Sequence, residues 1–392
     1  MAGIKDKVSV IGMGCTKFNE RWTDSREDLI LEAVNEALAD ANLTIDDIDA
    51  FWFGSFYEVA GYTLSNVLKT NFKPVTRVEN NCCTGMEAFR NAAYGVASGA
   101  YKVVMAIGME KLKDNGCSGN PMPNAYRDNT APVYGGPAGF SLLVPAYCEK
   151  YGVKFEDMRE AMAAVSYKNH YNGSLNPKAM YRKVTPIEKI KTSPMVCEPY
   201  LTVMDCSGVS DGCACAIMVR TEDAPQYRPD PMYIKCAEVA AASGYGSLIG
   251  DYDYTTVQET AYLAKKCYEL AGITDPVEQL SLVELHDCFT ITEIVLYEDL
   301  LLSKRGEGWK DALSGKFTKD GKLPVNIDGG LKAFGHPIGA SGIRMLYESW
   351  LQFHGKAGER QLKDPKLGLA HNLGGYPWEN VSAIAIVGKE LG

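Results

Sequence analysis

The sequence predicts an α/β protein built of two similar halves packed face to face, and three observations predict it. The first is an internal repeat: residues 32–55 and 263–287 both read as helix, turn and strand, and Ala41-Asn42-Leu43-Thr44 matches Ala271-Gly272-Ile273-Thr274. The second is that the match continues downstream. Residues 75–110 run from strand through a small-residue loop, a helix and a Gly-containing turn to another strand, and 323–358 followed by 366–375 repeat that order. Two copies of a β/α unit bury their apolar faces by stacking as layers. The third is a change of texture between the copies, at roughly 115–230, where 116–139 is rich in Gly, Pro and Asn, 155–171 is helical and 172–194 is basic and polar. An insertion of that size reads as a functional lid or loop domain rather than a linker. The expected division is therefore 1–114 for the first half, 115–200 for an inserted loop domain, 201–230 for a return to the first half, and 231–392 for the second.

Taken in order, the chain enters a strand pattern at once in "MAGIKDKVSVIGMG", without the apolar core of a signal peptide. Ser25-Arg26-Glu27-Asp28 resembles a capping box, and apolar residues at helical spacing follow over 29–41. The length of 392 residues suits two domains or one large duplicated one. A hydrophobic content of 46% with 23% charged residues is that of an ordinary soluble globular protein. No apolar run approaches the ~18 residues of a membrane span. The net charge of −9 argues against nucleic acid as the main partner and leaves a small anionic ligand to a local basic patch. Twelve cysteines occur without a CxxC pair, the closest spacings being Cys82-Cys83 and Cys213-x-Cys215. That is no four-ligand zinc pattern, so no metal is expected. Unpaired thiols in a chain that opens without a secretion signal point to a reducing compartment, and the cytoplasm is the expected location.

Four short stretches lie at equivalent places in the two repeats: NNCCTG (80–85), HDCF (286–289), GHPIGASG (335–342) and AHNLGG (370–375). Each falls where a strand ends or a helix begins, and ligands of open α/β sheets collect at strand ends. Cys83 precedes a helix-forming run, where the positive end of the helix dipole favours a thiolate. Cys82, one residue earlier on a strand-like backbone, would point the other way. Three of the five histidines, His286, His336 and His371, fall in these motifs. A histidine beside a thiol is the usual device for activating it. Cys288 supplies a second thiol suited to proton transfer.

These stretches, with 166–183 and 199–218, give the chain a resemblance to the thiolase superfamily over nearly its whole length. More narrowly, it is similar to the sterol-carrier-protein-type and archaeal-type branch, in which HDCF replaces the usual NEAF. The resemblance implies a five-layered αβαβα fold of two similar halves with an inserted loop domain. It places the nucleophile at the Cys of the Cys-(Ser/Thr/Ala)-Gly stretch, which maps to Cys83, and its activating base at His336. His286 stands where most thiolases have the Asn of NEAF, and with His336 would line one oxyanion hole. Most thiolases carry a second catalytic Cys near the C-terminus, whereas the matching place reads Asn372-Leu373-Gly374. In the HDCF branch that role passes to the Cys of HDCF, Cys288. Gly374 and Cys83 would offer backbone N–H groups to a second oxyanion hole.

The implied reaction is cleavage of a 3-oxoacyl-CoA by free CoA through a cysteine acyl-enzyme, or its reverse, with CoA as substrate and no tightly bound cofactor. Phosphates of CoA would meet basic residues of the insertion, Lys178, Arg182, Lys183, Lys189 and Lys191, with Arg182 and Lys183 the first choice. Residues 301–326, and the 22 tyrosines, are most similar to thiolase subunits that cleave benzoylsuccinyl-CoA to benzoyl-CoA and succinyl-CoA in anaerobic aromatic degradation. Acetoacetyl-CoA is the alternative substrate. A decarboxylating ketosynthase fits less well because HDCF stands where it needs a second His. A non-catalytic acyl-carrier or scaffold subunit fits less well because Cys83 and His336 are present. The resemblance also implies a homodimer core and a small zinc-ribbon/OB-like partner subunit.

Overall fold

A computed structural model describes residues 3–58, 60–117, 135–244, 250 and 252–392. Its strands are β1 (Val8–Cys15), β2 (Ala50–Gly54), β3 (Val75–Val78), β4 (Val103–Glu110), β5 (Met195–Cys197), β6 (Leu201–Thr202), β7 (Gly212–Arg220), β8 (Met232–Ala241), β9 (Leu282–Glu284), β10 (Leu367–Tyr376) and β11 (Glu379–Gly388). Nine of them run in the order β3-β2-β4-β7-β1-β8-β11-β10-β9, and β5 pairs only with β6. The first five belong to the first half and the last four to the second. They meet where β1 pairs β8 through two residue pairs, Ser9 with Tyr233 and Val10 with Met232.

Helices place these half-sheets in layers. The Arg26–Ala41 helix packs on the outer face of β1 and β7, and the Gln258–Ala271 helix does the same on β8 and β11. Between the half-sheets lie the helices Thr84–Ala97 and Ser341–Phe353, which touch each other and strands of both halves. The result is the five-layered αβαβα arrangement of the thiolase fold, with the helix pair as its central layer and Ser341–Phe353 the more deeply buried of the two. Ser341–Phe353 accordingly buries nearly every side chain, including Trp350 and the guanidinium of Arg344. That charge is matched by Asp328 and by Glu284 at 3.5 Å.

The repeat is visible down to its caps. Asn42 (φ 53°) and Gly272 (φ 80°) both close their helices in the left-handed conformation, at the positions the two sequences match. Ser25 and Asp28 form the reciprocal capping box. The pairing of β2 with β3 is echoed in the second half by a single parallel bridge, Val283 to Val325. Of the Gly/Pro/Asn-rich stretch expected to be irregular, 118–134 lies outside the described residues. The rest of the intervening segment carries the Phe155–Ser174 helix, which packs against the helices Thr290–Asp299, Gly308–Leu313 and Gly330–Phe334. Among the described residues no helix is long and apolar enough to cross a membrane.

Candidate active site

The two adjacent cysteines occupy a turn, not a strand. Between β3 and the Thr84–Ala97 helix, Asn81 adopts φ 51° and the Cys83 N–H donates to the Asn80 carbonyl at 3.0 Å. Strand alternation is lost there, and the thiols exchange the directions expected of them. Cys83 is fully buried, with its sulfur 2.9 Å from the Asn372 carbonyl and 2.8 Å from that of Val381, so it donates into the backbone of β10 and β11. Cys82 lines a cavity of about 1120 Å³, as do His286, Cys288 and His336, whereas Cys83 does not. The Cys82 sulfur and one ring nitrogen each of His286 and His336 lie within 4.8 Å of one another. The meeting of Cys83 with His336 expected from sequence is therefore corrected: the fold brings Cys82 there.

Both histidines are oriented from behind. The Ser341 hydroxyl donates to the Pro337 carbonyl at 3.0 Å, so His336 Nδ1, 2.7 Å from the same oxygen, must carry the proton that it donates. The lone pair is then on Nε2, which is buried and has no hydrogen-bond partner among the described residues. Burial, with the Arg344 charge adding to it, holds His336 down to about 3, so the ring is neutral at physiological pH. His286 is arranged the opposite way. The Asn372 amide donates to its Nδ1 at 3.0 Å, which leaves Nε2 as an N–H donor. The rings of His286 and His336 meet edge to face at 5.3 Å. Burial pushes the Cys82 thiol up to about 12, and raises that of Cys288 as well. Cys288 lies 3.8 Å from the Thr292 hydroxyl, and the Cys82 charge bears on it.

The supports come from far along the chain. Asp287 accepts from the backbone N–H groups of Leu331 (2.6 Å) and Lys332 (3.1 Å) and from Asn169 (2.7 Å), which fastens HDCF to the helix preceding His336. The segment after β6 braces both motifs: Ser207 N–H donates to the Cys288 carbonyl and His336 N–H to the Gly208 carbonyl, each at 2.8 Å. Gly374 rests directly on the cysteine turn, where a Cβ would lie 2.2 Å from the Asn80 oxygen. Gly374→Ala is therefore expected to destabilise the protein by about 1–3 kcal/mol, read by denaturant unfolding. An unchanged midpoint would show that the turn can move.

Other expected residues separate. The N–H groups of Cys83 and Gly374 do not open on the cavity: the first is held by Asn80 and the second bears on the Cys83 sulfur, while Gly375 lines the cavity instead. His371 bonds to Thr260 and Ser382 within the second half. Arg182 and Lys183 are exposed residues of the cavity wall. Lys178 is paired instead with Glu36 at 2.7 Å, and Lys191 with Glu160. Sequence reasoning missed Asn372, Ser341 and Asn169, whose roles depend on what they face. The Asn80-Asn81 pair was the one local signal of a turn, since Asn tolerates the left-handed conformation.

Cys82, His286 and His336 form the one group, among the described residues, with the spacing to hold a metal ion. The hydrogen bond behind His286 has the wrong polarity for it, because a metal-bound imidazole normally donates its other N–H, and Nδ1 there accepts from Asn372. Treatment with a chelator is expected to leave acyl transfer unchanged, with less than about 0.1 zinc per chain by elemental analysis. Loss of activity restored by zinc would overturn that expectation.

The family model for the thiolase N-terminal domain matches residues 8–222, and that for the thiolase C-terminal domain-like family matches 240–387. An acetyl-CoA acetyltransferase of Methanothermobacter thermautotrophicus is 35% identical over 378 residues, covering 94% of this chain and 96% of that one. Sterol carrier protein 2 of Bos taurus is 30% identical over 395 residues, covering 95% of this chain and 70% of that one. Among solved structures, the Ltp2-ChsH2(DUF35) aldolase superposes with a TM-score of 0.82 at 22% identity, covering 98% of each chain.

Proposed function

Since the chain belongs to the thiolase superfamily, in the branch of sterol carrier protein 2 and the archaeal acetyl-CoA acetyltransferases, we propose that it transfers acyl groups between carbon and CoA with Cys82 as nucleophile. The chain is an acyltransferase of the thiolase type. The observation that carries the assignment of Cys82 is its place on the cavity wall beside a His336 Nε2 that no described residue bonds.

The steps follow from the donors and acceptors present. His336 Nε2 takes the Cys82 proton as the sulfur adds to the C3 carbonyl of a 3-oxoacyl-CoA. The C2–C3 bond then breaks, leaving a thioester on Cys82 and the enolate of the departing acyl-CoA. His286 Nε2–H and the newly protonated His336 donate to the enolate oxygen, and Cys288 gives its proton to the carbon. Free CoA enters and loses its thiol proton to Cys288. The CoA thiolate attacks the Cys82 thioester, and the released Cys82 thiolate recovers its proton from His336. Reversed, the same groups join two acyl-CoA molecules. Arg182 and Lys183 are suited to the CoA phosphates because they are exposed cations on the wall of the same cavity.

Acetoacetyl-CoA is the substrate that the names of the archaeal relatives support. The benzoylsuccinyl-CoA expected from residues 301–326 has no support among the relatives. Thiolysis of acetoacetyl-CoA, followed by the loss of absorbance of its enolate, tests the reaction class. No turnover by the purified chain, alone or with a zinc-ribbon/OB-like partner subunit, would sink it. The homodimer core and that partner remain part of the proposal, and light scattering of the eluted chain tests the former.

A further inference from the structure

One amine of the cavity wall takes no part in the thiol chemistry. Lys332 stands on the Gly330–Phe334 helix, is 3% exposed, and lines the same cavity as Cys82, His286, Cys288 and His336. Its backbone N–H donates to the Asp287 carboxylate at 3.1 Å, and Asp287 is the residue between His286 and Cys288. Further hydrogen bonds hold that helix against the cavity. The Leu331 N–H also donates to Asp287, and the carbonyls of Ala333 and Phe334 accept from the N–H groups of Tyr181 (2.9 Å) and Met180 (3.1 Å). The side-chain nitrogen of Lys332 makes no ion pair or hydrogen bond with any described residue. The groups around it are committed elsewhere. Asp205 holds Arg159 at 2.6 and 2.8 Å as well as the hydroxyls of Thr202 and Thr290. The Cys206 thiol donates to the Thr202 carbonyl at 3.4 Å.

An amine so placed has a specific chemical liability. A thioester carbonyl is attacked by a neutral amine and not by an ammonium ion. An ordinary lysine keeps fewer than about one amine in a thousand neutral at neutral pH. Burial draws Lys332 below its ordinary value, and the charges of Cys206, Asp205 and Asp287 offset only part of that. Acylation also removes a charge whose burial costs free energy. A cavity of about 1120 Å³ that binds a thioester holds it beside this wall, which turns a bimolecular encounter into a local one. Lys183 lies on the same wall but is exposed, so its ammonium stays hydrated.

We infer that Lys332 is a covalent modification site, which takes an acyl group from thioesters held in the cavity and so closes the pocket to further turnover. The amine nitrogen adds to the thioester carbonyl, the carbon–sulfur bond breaks, and the proton lost by nitrogen goes to the departing thiolate. The products are an amide on Lys332 and a free thiol, either CoA or Cys82, according to which thioester gave the acyl group. No oxidant or further reactant is needed. The inference rests on the thiolase reading of the cavity, which supplies the thioester.

Incubation of the purified chain with acetyl-CoA, then with hydroxylamine, followed by peptide mass spectrometry, tests this, because hydroxylamine strips thioesters and spares amides. An acetyl amide is expected on Lys332 at an occupancy at least about tenfold that on Lys183. Thiolysis should fall in step with it, whereas Lys332→Arg, which keeps the cation, should hold its own starting rate through the same incubation. The Cys82→Ala protein identifies the donor. An amide formed there comes directly from acetyl-CoA, and one formed only when Cys82 is present comes from the Cys82 thioester. A hydroxylamine-labile acetyl group on Cys82 with no amide on Lys332 overturns the inference and leaves the thiolase reading standing. Equal occupancy of Lys332 and Lys183 overturns it too, as unselective acetylation, and an amide that leaves the rate untouched overturns the closing of the pocket. If neither thioester nor amide forms, the thiolase reading of the cavity falls as well. Should Lys332→Arg fail to fold, the peptide map of the unsubstituted chain decides by itself.

Discussion

Cys82→Ala is expected to lower thiolysis by about 10⁴-fold or more, the scale on which nucleophile removal acts, while Cys83→Ala keeps most of the activity. The contrast follows from direction. Cys82 faces the two imidazoles on the cavity, and Cys83 donates to the carbonyls of Asn372 and Val381. Removing the Cys83 sulfur leaves a small void and two carbonyls without that donor, a cost of roughly 1–3 kcal/mol in stability rather than in catalysis. Mass spectrometry of the protein treated with acetyl-CoA, with fragmentation between residues 82 and 83, reads the acyl site directly. An adduct on Cys83, or equal loss of activity in both variants, would return the nucleophile to the position first expected.

His336→Ala should lower kcat/KM by about 10²–10⁴-fold, as for loss of a general base, with little change in unfolding midpoint. The resting pair is a thiol and a neutral imidazole, because burial moves Cys82 up to about 12 and His336 down to about 3. The sign for reactivity is then fixed. Below the thiol pKa the thiolate fraction grows tenfold per pH unit, so alkylation of Cys82 by iodoacetamide should climb steadily from pH 6 to 9 with no plateau on the acid side. Fast alkylation independent of pH down to 5 would mean a preformed thiolate–imidazolium pair, and the proton transfer assigned to the addition step would be wrong.

What was legible in the sequence was what local chemistry determines. The left-handed caps at Asn42 and Gly272, the Ser25–Asp28 box and the helix-to-strand order of both repeats depend on residues within a few positions of one another. The choice between the cysteines also depends on a local conformation, but the wrong one was read. Alternation belongs to strands, and one left-handed residue at Asn81 cancels it. The tautomers of His286 and His336 could not be read, because Asn372 and Ser341 fix them and only the folded layers bring Asn372 to His286.

The seat of the cysteine turn has a consequence for the order in which the protein matures. The turn is held from below by Gly374 and by carbonyls of the last two strands, nearly three hundred residues downstream. A ribosome therefore releases the Cys82–Cys83 segment long before anything exists to aim it. Until β10 and β11 dock, both sulfurs are ordinary thiols on a flexible chain, without an imidazole to activate either. Catalytic competence arrives last, as a by-product of completing the sheet. An unfinished or truncated chain keeps two thiols of ordinary acidity but lacks the paired imidazoles beside them, so it cannot turn over the thioesters it meets.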